Sequence, residues 1–107
     1  MKFNGIVDDF KTKANEFTAK KFDGIAWIEF EKTRNTPSVL KIDAKCAKGG
    51  VIILIQHMVS GEEPIIITNF IGSYCETRSL DDYKEGIYKI MAVGKNSENV
   101  SVKYEFI

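Results

Sequence analysis

This 107-residue sequence predicts a β-dominated fold: an antiparallel sandwich of about seven strands, with one N-terminal amphipathic helix packed on a sheet. Three observations predict it. From Gly24 to Phe106 apolar residues alternate with polar ones in short runs. Turn residues separate those runs about every dozen positions, the spacing of sandwiches and barrels. Ahead of them Phe3, Ile6, Val7, Phe10, Ala14 and Phe17 recur at steps of one, three and four, which at about 100° per residue form one stripe.

The stripe predicts a helix over residues 4–21. Asn4 is its candidate N-cap, Asp8 and Asp9 lie near its positive end, Lys20 and Lys21 lie at the other end, and Asp23-Gly24 ends it. Strands are then expected over residues 24–32, 38–46, 51–59, 64–70, 73–79, 86–93 and 99–106. Thr33 to Pro37 reads as a loop, because Pro37 cannot donate to a ladder. Lys48-Gly49-Gly50 and Ser60-Gly61-Glu62-Glu63-Pro64 read as turns. The clearest alternations close the chain: Tyr88, Ile90 and Ala92, then a turn from Gly94 to Asn99, then Val100, Val102, Tyr104 and Phe106. These two runs are expected to form a hairpin with one buried face.

Two runs, Val51 to Met58 and Ile65 to Phe70, are apolar on both sides, and Ile25, Trp27, Ile87, Met91 and Val93 are apolar where their strands should face outward. Something must cover them. The helix stripe is the expected lid; failing that, the same surface is a partner site, since monomers rarely leave a large apolar patch open to water.

Composition bounds the function. Lys+Arg and Asp+Glu number 15 each, so the net charge is zero, and no surplus of cations is available to neutralise nucleic-acid phosphates. The longest apolar run, Val51 to Ile55, falls far short of the ~20 residues of a membrane helix. The opening M-K-F-N-G-I-V-D-D-F lacks the apolar run of a secretory signal, which slightly favours the cytoplasm unless a leader has been removed. Cys46 and Cys75 have neither metal nor redox spacing and are expected to be free thiols.

His57 is the sole histidine, so any ordinary general base is this residue, with Cys46 or Cys75 as the candidate nucleophile. Its plain reading is a strand-end histidine near a turn, since no flanking motif raises a catalytic role. Asp81 and Asp82 read as turn residues, Gly49-Gly50 is no phosphate loop, and no ligand spacing implies a metal or another cofactor. Trp27, Tyr74 and Tyr83 stand outside the cleanest inward sets and are the candidate ligand-binding residues, as an aromatic platform for a sugar ring. Their structural alternative is packing, Trp27 under the helix and Tyr83 in the corner.

Leu80, the acidic corner after it and Gly86-Ile87-Tyr88-Lys89-Ile90 resemble the corner entering strand F of immunoglobulin-like and related sandwich modules. The resemblance implies that the Tyr88 hydroxyl bonds back to the corner backbone. Lys84 stands where an Asp is usual, Ile90 where the second cysteine stands, and Trp27 precedes both cysteines, so the likeness concerns architecture. A helix held inside a curled sheet, as in cystatin-like domains, is the alternative fold, and its concave face would be a ligand pocket. The leading functional expectation is a non-catalytic module that recognises a protein partner, or itself, through a sheet face or edge. A carbohydrate or small-ligand binder and a His/Cys enzyme are its rivals.

Overall fold

The computed structural model describes residues 1–35, 38–59 and 61–107. Thr36, Pro37 and Ser60 lie outside them, and with them parts of the expected loop at 33–37 and turn at 60–64. Among the described residues the chain forms six strands and no helix: β1 (Lys2–Asp8), β2 (Lys11–Lys13), β3 (Glu16–Lys32), β4 (Val39–His57), β5 (Ile65–Ser79) and β6 (Gly86–Phe106). All are antiparallel members of one sheet in the order β1-β3-β6-β4-β5, with β2 also pairing β3. The chain is therefore mainly β and antiparallel, but its strands share a single hydrogen-bonded sheet.

The expected helix over 4–21 is corrected to a hairpin. β1 and β2 lie in line along the start of β3, Lys2 opposite Trp27 and Lys13 opposite Glu16, leaving Ala14-Asn15 as a two-residue loop. Asp9 and Ala14 adopt left-handed backbone, with φ of 52° and 53°, which interrupts any helical run. The aromatic members of the stripe still meet, Phe10 doing so from the connection between β1 and β2. The Phe3 and Phe10 rings lie 4.2 Å apart and Phe10 and Phe17 5.4 Å, and Phe17 also meets Phe22, outside the stripe, at 5.2 Å.

Three expected turns or gaps are bends within continuous strands. β6 has 21 residues, and drawn straight it would span roughly 70 Å. The longest dimension of the molecule is 38 Å, so the long strands must bend. In β4 the bend falls where register slips between Cys46 and Val51, at Gly49 (φ 85°) and Gly50 (φ 78°), values that a side chain rarely tolerates. In β6 it falls at Asn96 and Asn99, both at φ 51° and a residue type tolerant of that region. In β5 the expected strands 64–70 and 73–79 run into one another. The expected pairs 38–46 with 51–59 and 86–93 with 99–106 are likewise halves of single strands.

The bend in β4 changes which parity faces inward, whereas β6 keeps its even positions buried on both sides of its bend. In β4, Leu40, Ile42, Ala44 and Cys46 are buried before the bend, and Val51, Ile53 and Ile55 after it. In β6, Tyr88, Ile90 and Ala92 precede the bend and Val100, Val102 and Tyr104 follow it, with Ser97 buried between. The Ser97 hydroxyl donates to the Gly50 carbonyl and joins the two bends. Buried residues from both halves of β3, β4 and β6, with Phe70 of β5, belong to one cluster, so the sheet curls around its own core.

Candidate interaction surface and the loop end

His57 ends β4, and the loop before β6 lies beside it. The Glu62 carboxylate can only accept, so His57 Nδ1 donates to it at 2.8 Å, and Lys84 Nζ approaches the other Glu62 oxygen at 3.4 Å. The His57 hydrogen bond, with help from Lys84, holds the Glu62 carboxyl below its ordinary range. The imidazole stacks on Tyr88 at 4.5 Å, and the Tyr88 hydroxyl donates to the Lys84 carbonyl at 2.7 Å. A bond from this hydroxyl to the corner backbone is what the resemblance implies.

The other ring nitrogen, Nε2, is buried without a partner and faces Gly86, where an added Cβ would sit 2.5 Å from it. Gly86 (φ 137°) is needed both for its backbone and for this close approach. A general base needs a nitrogen that a substrate can reach, and Nε2 is covered. Neither thiol stands beside it. Cys46 is buried eleven positions earlier on the same strand, its Sγ donating to the Lys48 carbonyl at 3.0 Å, and Cys75 is exposed on β5. Both cysteines are free. Among the described residues no group of three or more His, Cys, Asp and Glu side chains is placed to hold a metal ion.

The three candidate ligand aromatics are held by different neighbours. Tyr83 packs on Tyr88 with ring centroids 5.6 Å apart and, with His57, Glu62 and Lys84, lines a cleft of about 220 Å³ at the loop end. Tyr74 stacks on Phe70 at 5.7 Å and donates to Glu76 at 2.9 Å, and burial followed by Glu76 raises its phenol above the ordinary value. Trp27 lies half-buried between the inward-facing Ala26 and Ile28, with Lys89 Nζ 5.2 Å from its ring centre.

Trp27 belongs to the feature that stands out. Register places Ile25, Val93 and Ile52 side by side across β3, β6 and β4, and Trp27, Met91, Leu54 and Ile66 side by side across β3, β6, β4 and β5. Those on β3, β6 and β4 alternate with buried core residues, and Ile66 pairs with Leu54 beside them, so the two rows occupy the outer face of the sheet. The strands in contact are hydrogen-bonded neighbours, and among the described residues no further layer lies over these rows. The expected lid is absent because its residues are spent in β1, β2 and β3.

No protein-family model matches this chain, and no curated protein matches it in sequence. Among the described residues no helix is long and apolar enough to cross a membrane.

Proposed function

We propose that this chain is a non-catalytic interaction module that binds a protein partner through the outer face of its sheet. The observation that carries this is the pair of uncovered apolar rows, above all Ile25, Trp27, Ile52, Leu54, Met91 and Val93. Ile25 is exposed and the other five are half-buried, on a face that no other element covers among the described residues, and a contiguous apolar face is the usual mark of a partner site. Lys89 and Glu29 lie opposite one another in the next row and supply a polar rim. The immunoglobulin-like resemblance is part of the proposal, supported by the Tyr88 bond to the corner backbone.

The test compares the immobilised wild-type chain with an Ile52→Lys, Val93→Lys double variant in extract of the source cells. A protein retained by the wild type and lost by the variant, with far-UV circular dichroism unchanged, is the expected result. Equal retention by both would remove the outer face as the site. A small-ligand reading, carbohydrate included, is supported by the loop-end cleft at Tyr83. Titration with sugars against intrinsic fluorescence tests it, and a flat response removes it.

A further inference from the structure

We propose that this chain forms a twofold dimer by antiparallel pairing of β5 with β5 of a second copy, the axis passing near Phe70. The inference rests on the interaction-module reading and names one partner and one edge for it.

β5 is an end of the strand order, paired with β4 on one side only. A long, uncharged edge strand is a template for another strand, and proteins ordinarily blunt it with charge, kinks or shortness. The opposite edge is blunted in this way. β1 has seven residues and carries Lys2 and Asp8, and β2 reads Lys-Thr-Lys. β5 has 15 residues, and none from Ile65 to Cys75 is charged. Among the described residues, five of the ten exposed large apolar side chains, Met58, Val59, Ile65, Ile66 and Ile71, lie on β5 or the segment leading into it. That concentration singles out this edge.

The occupant follows from the edge's own pattern. A twofold axis perpendicular to a sheet keeps each side chain on its own face, so it must pass through a residue paired with itself. With Phe70 on the axis, Asn69 lies opposite Ile71 of the second copy and Thr68 opposite Gly72. Register against β4 places Asn69 on the outer face and Thr68 and Gly72 on the inner one, so each of these pairs matches faces. Register against β4 also skips Ile67, pairing Ile53 with Thr68 and Leu54 with Ile66. Carrying the same bulge across the new edge sets Ile66 opposite Ser73 and Ile65 opposite Tyr74. No charge is opposed anywhere in this paired stretch. Pro64 then ends the pairing, and Glu62 is drawn back onto His57. A foreign strand would need a comparable uncharged stretch, and β5 itself supplies one. Outer-face Ile66 would also join the two apolar faces across the seam.

Sedimentation equilibrium from micromolar to near-millimolar protein tests the proposal. The expected result is a wild-type mass approaching twice 12.1 kDa. An Asn69→Lys, Ile71→Lys double variant should stay monomeric, while the Ile52→Lys, Val93→Lys variant should dimerise as the wild type does. In a Cys75→Ser background, Asn69→Cys with Ile71→Cys should give a disulfide-linked dimer on mild oxidation. A monomeric wild type, a dimer that survives the edge lysines, or no cross-link would overturn the edge dimer. Loss of the dimer through the outer-face lysines alone would also overturn it, whereas loss of a foreign partner through those lysines bears on the outer-face reading.

Discussion

Tyr104 is 2% exposed, and its hydroxyl is buried without a hydrogen-bond partner. Leaving such a group unpaired costs about 1–3 kcal/mol, so Tyr104→Phe should leave stability unchanged or raise it by about 1 kcal/mol in urea denaturation. The variant has a second readout. Burial pushes the Tyr104 phenol above its ordinary value of 10.0, so as pH rises through that value the unfolded chain loses this proton first, and the fold loses stability. Tyr104→Phe should move the onset of alkaline unfolding to higher pH. Glu62 works in the opposite direction. Its folded value lies below 4.5, so its contribution is fully present above 4.5 and is lost as pH falls through the folded value. Denaturation midpoints followed downward from pH 6 should fall less steeply for Glu62→Gln than for the wild type. Equal slopes would show that the His57 bond does not form in solution.

At the scale of elements, the hairpin that replaces the expected helix carries a visible cost. Ala14 sits at φ 53° in a two-residue loop, a region that costs a residue with a Cβ about 1–2 kcal/mol. Ala14→Gly should therefore stabilise the protein by up to about 1 kcal/mol after the added freedom of glycine in the unfolded chain is counted, read as a raised urea midpoint. This element also shows why the sequence misleads. Phe3, Phe10 and Phe17 lie seven apart, which is close to two helical turns, yet a strand folded back on its neighbour stacks them as well. The expected runs 38–46, 51–59 and 86–93 were legible because apolar positions recur regularly on each side of a bend. Whether Gly49-Gly50 reverses the chain or only bends it was not legible, since turns and bulges both use positive φ and only pairing partners distinguish them. The same holds for the candidate site. Apolar residues on outward positions were readable one strand at a time, whereas their alignment into rows needed the β3-β6-β4 order.

At the scale of the whole molecule, the curled sheet hides its concave side and, among the described residues, leaves its convex side with no layer to cover it. β1 and β2 extend the sheet sideways, and the second function of a covering segment is left unfilled. Both proposed contacts follow from that arrangement: a partner on the outer face, and a second copy on the β5 edge. The most direct measurement is methyl relaxation caused by a soluble paramagnetic probe in the free, isotopically labelled chain. The outer-face methyls of Ile25, Ile52, Leu54, Met91 and Val93 should be strongly relaxed, and those of Ile42, Ile53 and Ile90 should not. Equal protection of both sets would mean that the face is already covered, and would contradict the account.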